Sequence, residues 1–349
     1  MCAGVDWRDF ICMAIESEAS DIHLTVGQKP YMRCLGVLQQ VRDCLLTESV
    51  MDDICSVILS DGQREKLLRD CDVDLSWEFA ERRFRVNAYY QQGYPALAMR
   101  LLPERIPTLG ELGAPAAWQK LKEINQGLIL VTGRTGSGKS TTLAAFLEEL
   151  NREKSLNMIT LESPTEFLLM PKKSFISQRE LGRDFFSFEQ AMLGSLREMP
   201  DLVMLGEIRD TETMQTALTA AATGMLVLGT LHSASAPEAV LRIEGMFPLE
   251  QRAGIRSLLA EVLTGIFSQR LVPAQQGGRL AVSEVLLAIP AVRSLIRQGK
   301  YGQLYSVMLS NQEMGMQPLS VAAQKLLQAG KISPATYNHL CENYRGESL

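Results

Sequence analysis

The chain has 349 residues, 46% of them hydrophobic and 21% charged, which excludes a mainly disordered polypeptide and leaves room for two buried cores. Its 35 Lys and Arg stand against 40 Asp and Glu, a formal charge of -5. Residues 1–118 carry 12 basic against 18 acidic side chains and residues 119–349 carry 23 against 22, so neither part has the basic excess that grips a phosphate backbone. No nucleic-acid partner is expected.

The cysteines (Cys2, Cys12, Cys34, Cys44, Cys55, Cys71 and Cys341) are odd in number and hold no C-x-x-C pair, so reduced, mostly buried thiols are expected rather than a disulfide framework or zinc module. The weakly polar stretch 217–231 is interrupted by threonines and Gly224 and is too short to span a bilayer. With no signal-peptide pattern at the start, a cytoplasmic protein is expected.

In chain order, residues 5–18 read as an amphipathic helix, followed by β-favouring runs at Asp21–Val26 and Tyr31–Leu35 and a helical stretch at Thr47–Leu59. Three strand-like segments, Val73–Phe79, Arg83–Tyr90 and Ala96–Leu102, have turns near Glu81 and Gly93 and suggest an antiparallel sheet. Residues 1–102 therefore read as a small α+β domain. The prolines and glycines of 103–117 mark a linker, and 118–349 form the remainder.

There, apolar strands at Leu128–Thr132, Asn157–Leu161, Leu202–Gly206 and Met225–Leu231 alternate with helices at Thr141–Leu150, Phe188–Met199, Glu212–Thr223 and Glu238–Gly245. That alternation predicts an α/β doubly wound core. After Pro248 the pattern turns helical, with Gln251–Ser268 as one helix, and only Arg279–Leu287 looks like a strand.

The run Gly133-Arg134-Thr135-Gly136-Ser137-Gly138-Lys139-Ser140-Thr141 fits G-x-x-x-x-G-K-[S/T] between a predicted strand and a predicted helix. Glycines let backbone N–H groups wrap phosphates, Lys139 reaches the β/γ oxygens, and Ser140 ligates Mg2+. ATP and Mg2+ are thus the expected cofactors. Glu162 and Glu207 end two predicted strands at the ligand-binding edge, where one carboxylate can help hold Mg2+ and the other can activate water. His232 ends a third strand, placed to sense the γ-phosphate, and Arg83, Arg85 and Arg100 lie on strands of the first domain.

Together with Ala19-Ser-Asp-Ile-His-Leu24, Arg83-Phe-Arg-Val-Asn87, Leu161-Glu-Ser-Pro-Thr-Glu166, Gln178-Arg-Glu180, Leu196-Arg-Glu-Met-Pro-Asp201, Gly206-Glu-Ile-Arg-Asp210 and Gly229-Thr-Leu-His-Ser233, the sequence resembles the secretion and type IV pilus motor ATPases. It is most similar to the PilT-like retraction ATPases, because Ala291-Val-Arg-Ser-Leu-Ile-Arg297 resembles their C-terminal signature and the paired C-x-x-C of assembly members is absent.

The resemblance implies an N-terminal PAS-like domain and a RecA-like P-loop ATPase domain with a C-terminal helical subdomain. It also implies a homo-hexamer that acts on an inner-membrane platform protein of the pilus, so the cytoplasmic chain would associate peripherally with that membrane. By the same resemblance Glu162 is the general base, Glu207 the Walker B carboxylate, His232 the γ-phosphate sensor, and Arg85 and Arg100 the arginines that close on ATP.

Two positions depart from the family's pattern: Ser163 stands where an Asp is usual, and Met225 where a first histidine is usual. They keep open an accessory subunit that co-assembles with a paralogous motor ATPase, alongside a pilus-assembly or secretion ATPase.

Overall fold

The computed structural model describes residues 6–34 and 36–346, with side chains as far as Cys341; Cys2 and Leu35, named above, lie outside the described residues. The chain divides into two compact units. One is built from the chain up to Arg105 with the short segments Ser163–Leu168 and Gly182–Asp184, the other from Ile106–Glu162, Leu169–Leu181 and Phe185 onward.

The first unit contains, in order, α1 (Arg8–Glu16), β1 (Asp21–Thr25), β2 (Tyr31–Cys34), β3 (Val37–Gln40), α2 (Glu48–Ile58), α3 (Asp61–Asp70), β4 (Asp72–Phe79), β5 (Arg82–Gln91) and β6 (Tyr94–Leu101). The strands form an antiparallel sheet in the order β3-β2-β1-β6-β5-β4. Two-residue turns join β4 to β5 and β5 to β6, and their central residues, Ala80 with Glu81 and Gln92 with Gly93, all have positive φ, as the right-handed strand twist favours.

Burial alternates along β5. Phe84, Val86 and Ala88 join Phe10 and Ile11 of α1 and Met51 and Ile54 of α2 in the core, and Arg83, Arg85 and Asn87 take the opposite face.

The second unit contains α4 (Ala117–Leu121), β7 (Gly127–Thr132), α5 (Lys139–Glu153), β8 (Asn157–Glu162), β9 (Phe175–Glu180), α6 (Phe188–Ser195), β10 (Leu202–Leu205), α7 (Thr211–Ala222), β11 (Leu226–Leu231), α8 (Ala236–Gly245) and α9 (Leu249–Val262). There follow β12 (Leu263–Pro273), β13 (Arg279–Leu287), α10 (Pro290–Gln298), α11 (Leu304–Ser310), α12 (Leu319–Gln328) and α13 (Pro334–Gly346). Its strands run β13-β12-β7-β11-β10-β8-β9, parallel except for the β12–β13 pair.

Every residue of β7 is buried because both faces of the sheet are covered. Leu128 and Leu130 pack with Met214 and Leu218 of α7 and Val240 of α8, whereas Ile129 and Val131 pack with Trp118 of α4 and Phe146 and Leu150 of α5. Each such side chain contributes roughly 1.5–3 kcal/mol relative to exposure. The chain is therefore an α/β protein.

Several expectations need correction. The helix foreseen over 251–268 ends at Val262, and β12 takes its remaining residues into the sheet between β7 and β13, so the region after Pro248 completes the core instead of only extending it with helices. Strands β3 and β9 and helix α3 were not foreseen. Among the free thiols of the described residues only Cys55 is buried, with its pKa pushed up to about 11 by burial, and Cys71 is exposed. Cys44 is disulfide-bonded, against the expectation of reduced thiols.

Candidate active site

Parallel pairing brings Thr132 level with Leu231, and Leu205 level with both Leu161 and Gly229, so the loops after β7, β8, β10 and β11 leave one edge of the sheet. That edge carries Gly133–Thr141, Glu162, Glu207 and His232.

The loop from Gly133 to Gly138 depends on its glycines. Gly133, Gly136 and Gly138 have φ of 146°, 75° and 87°. A Cβ on Gly133 would lie 2.3 Å from the Gln269 carbonyl oxygen and 2.5 Å from Ser137 Oγ, and one on Gly138 would lie 2.8 Å from Gln269 Nε2.

Lys139 opens α5 and donates from Nζ to the carbonyls of Gly133 (2.8 Å) and Arg134 (3.2 Å), so its ammonium stays over the loop. Ser140 and Thr141, part-buried, occupy the first turn of α5, where the unpaired N–H groups and helix dipole favour an anion. Ser137 Oγ and Thr132 Oγ1 are buried with no hydrogen-bond partner. Beside the loop lie a cleft of about 530 Å3 lined by Arg134, Thr135, His232 and Glu238 and a smaller one of about 280 Å3 that reaches Gln269 and Arg279. These features fit a bound phosphate chain.

Glu162 Oε1 accepts from Thr160 Oγ1 (2.7 Å) and Gln178 Nε2 (3.2 Å), and the residue is 8% exposed. Gln178 Oε1 in turn accepts from the Leu169 amide at 2.7 Å. Gly206, directly after β10, would put a Cβ 3.2 Å from Glu162 Cα, so the close approach of the two strand ends leaves little room for a side chain there.

Glu207 Oε1 accepts from both Arg209 Nε (2.6 Å) and His232 Nε2 (3.0 Å). Burial would raise its carboxyl, but the Arg209 guanidinium and His232 outweigh it and hold the group below the ordinary glutamate value. Glu207 is thus an ionised carboxylate tied to the His232 loop. Among the described residues no three His, Cys, Asp or Glu side chains gather to hold a metal alone. Ser140 and Glu207 fit Mg2+ all the same, since that ion is held by one or two protein oxygens together with substrate phosphates.

Arg85 and Arg100 belong to the other unit. They face each other across β5 and β6, and each turns to an acid: Arg85 Nη2 to Asp74 Oδ2 at 3.2 Å and Arg100 Nε to Asp21 Oδ1 at 2.9 Å. Arg85 Nη1 also lies 4.0 Å from Glu166 Oε1.

Of the two departures, Met225 precedes the first residue of β11 whereas His232 follows its last, so the two are about 20 Å apart at the ordinary strand rise. Ser163 is exposed directly after Glu162.

Sequence reasoning missed several groups. Gln178 stood in a quoted motif without a role, Thr160 and Arg209 were not singled out, and Gln269 fell just beyond the helix predicted over 251–268, in no predicted element. The alternating polar residues Thr160 and Glu162 in an apolar strand are the one signal that could have found Thr160.

A family model described as type II/IV secretion system protein matches residues 7–277. The type IV pilus retraction ATPase PilT of Pseudomonas aeruginosa is 39% identical over 330 residues, covering 94% of this chain and 96% of that one. A twitching motility protein of Neisseria gonorrhoeae is also 39% identical, over 353 residues, covering 98% of this chain and 94% of its own length. A crystal structure of the pilus retraction motor PilT with bound ADP superposes with a TM-score of 0.89 at 41% identity, covering 96% of this chain and 97% of that one.

Proposed function

This chain belongs to the type II/IV secretion system protein family, and we propose that within it the protein is an ATP-hydrolysing motor that powers type IV pilus retraction. The observation that carries this reading is the gathering of Lys139, Glu162, Glu207 and His232 on one sheet edge, with Glu207 held ionised. Similarity to PilT of Pseudomonas aeruginosa over nearly the whole chain supports the retraction role.

In the proposed reaction, backbone N–H groups of Gly133–Thr141 and the Lys139 ammonium hold the β- and γ-phosphates. Ser140 and Glu207 would hold Mg2+, which would supply neutralisation of the phosphate charge. Glu162, with Oε1 fixed by Thr160 and Gln178, takes the proton of the attacking water. His232 reports the γ-phosphate to Glu207, and Arg85 and Arg100 stabilise the charge that develops on it.

We extend the proposal to the whole assembly. Residues 1–102 act as a PAS-like domain, 103–117 as a linker, and 118–349 as a RecA-like ATPase domain with a C-terminal helical subdomain. Six copies form a ring that turns an inner-membrane platform protein, so the chain works at that membrane from the cytoplasmic side. No helix among the described residues is long and apolar enough to cross a membrane.

The test is Mg2+-dependent ATP hydrolysis by the purified chain, lost in Lys139→Ala. Parental turnover in that variant would remove the proposed site.

A further inference from the structure

The phosphate loop is held from outside by strand β12, the element that sequence patterning misread. Gln269 is 3% exposed, and both ends of its carboxamide are used: Nε2 donates to the Ser137 carbonyl at 2.9 Å, and Oε1 accepts from Thr142 Oγ1 at 2.9 Å. The two partners lie on either side of Lys139 and Ser140, one in the loop and one in the first turn of α5.

The same strand residue limits the loop's space, since an added Cβ on Gly133 or Gly138 would meet its backbone oxygen or its carboxamide nitrogen. Those two glycines therefore admit β12 as well as phosphate. On the opposite face of the strand, Ser268 Oγ at 3.0 Å and Arg270 Nη2 at 3.3 Å donate to the Ala234 carbonyl, two residues beyond His232. Three consecutive residues thus hold the phosphate loop and the His232 loop.

We propose that Gln269 is a positioning residue for ATP hydrolysis, which by bridging the Ser137 carbonyl and the Thr142 hydroxyl fixes the phosphate loop in the form that receives the nucleotide's β-phosphate. A loop carbonyl engaged by Gln269 is turned away from the phosphates, and its neighbouring N–H groups are left to face them. Without the carboxamide, a buried carbonyl loses its donor and a buried hydroxyl its acceptor, and the loop can rotate a carbonyl toward the anion. The inference rests on the nucleotide reading of the Gly133–Thr141 loop.

The test is ADP affinity with Mg2+, by calorimetry, for the parent, Lys139→Ala, Gln269→Leu and Gln269→Glu, with thermal melting recorded for each. Gln269→Leu keeps the volume and loses both bonds; its ADP affinity should fall about ten- to hundredfold and the KM for ATP should rise in step, as expected for lost buried hydrogen bonds. Gln269→Glu keeps the acceptor for Thr142 but can donate to Ser137 only when protonated. Its affinity should be weak at high pH and recover as pH falls through the raised value of a buried carboxyl, a profile absent from the parent.

Affinities in both variants within about twofold of the parent would overturn the proposal and leave Gln269 a packing residue. Should Gln269→Leu not fold, the Gln269→Glu titration decides alone, and a flat profile overturns the proposal. If instead Lys139→Ala binds ADP like the parent, the nucleotide reading of the loop fails, a result that the Gln269 variants cannot mimic.

Discussion

His232 Nε2 and Glu207 Oε1 lie 3.0 Å apart, joining the ends of the neighbouring strands β11 and β10 across the phosphate edge of the sheet. The same oxygen accepts from Arg209, so loss of the imidazole leaves the carboxylate with a cation.

His232→Ala should therefore lower kcat by about tenfold to a hundredfold while the acid limb of the pH–rate profile stays in place. The sign follows from Glu207 lying below its ordinary 4.5, held there by Arg209 more than by His232, and Arg209 remains in the variant. Glu207→Gln should cost more, about a hundred- to a thousandfold, with nucleotide still bound. An acid limb that moves upward in His232→Ala would show that the imidazole, not Arg209, keeps Glu207 charged.

Glu162→Gln should nearly abolish hydrolysis and spare ADP binding. Thr160→Val and Gln178→Leu each remove one hydrogen bond to Glu162 Oε1 and should lower kcat by about tenfold with KM unchanged. Steady-state kinetics on the three variants checks this. A raised KM with normal kcat would place Thr160 and Gln178 in nucleotide binding instead.

Glu148, near the end of α5, is 8% exposed and accepts from Lys172, from Arg152 at 3.1 Å and from Asn151 at 3.3 Å. Burial would raise its carboxyl, and these three partners bring it below the ordinary value of 4.5. The stability it contributes is present above that value and is lost as pH falls through its lower folded value. Glu148→Ala should cost about 1–2 kcal/mol at neutral pH, a figure already reduced for the exposure of the Lys172 and Arg152 side chains. In denaturant melts the gap to the parent should narrow below pH 4.5. A gap that widens there would contradict the ion-pair account.

Arg293 and Arg297 share α10 but do different things. Arg293 donates to the Ala288 carbonyl at 2.8 Å and to those of Ala260 and Glu261, tying α10 to the end of α9, while Arg297 is exposed. Arg293→Ala should lower stability by about 1–3 kcal/mol. Arg297→Ala should keep the parental melting temperature and ATPase rate and lose pilus retraction. Equal losses of stability in the two variants would overturn this division.

The strand, loop and helix around Gly133–Ser140 were legible because the spacing of Gly133, Gly138, Lys139 and Ser140, with an apolar strand before it and a helix-forming run after it, leaves few other structures open. Strand β12 was hidden because Leu258, Leu259, Val262, Leu263 and Ile266 continue the helical spacing of α9 without a glycine or proline at Val262. What makes β12 a strand is its pairing with β7 and β13, a tertiary effect that local propensity does not carry. Helix α3 did carry a local signal, the Ser60 and Gln63 capping box, which its polar composition obscured. Gln178 could not be tied to Glu162 from the sequence because β8 and β9 pair across a long connection.

The central claim, a motor that retracts pili, is tested most directly by imaging labelled pili in a deletion strain carrying the parental gene or Glu162→Gln. The account predicts extension and retraction with the parent, and abundant pili that extend but do not retract with Glu162→Gln. Cells without pili in the deletion strain, regaining them only with the parental gene, would show that the protein drives assembly and would contradict the account.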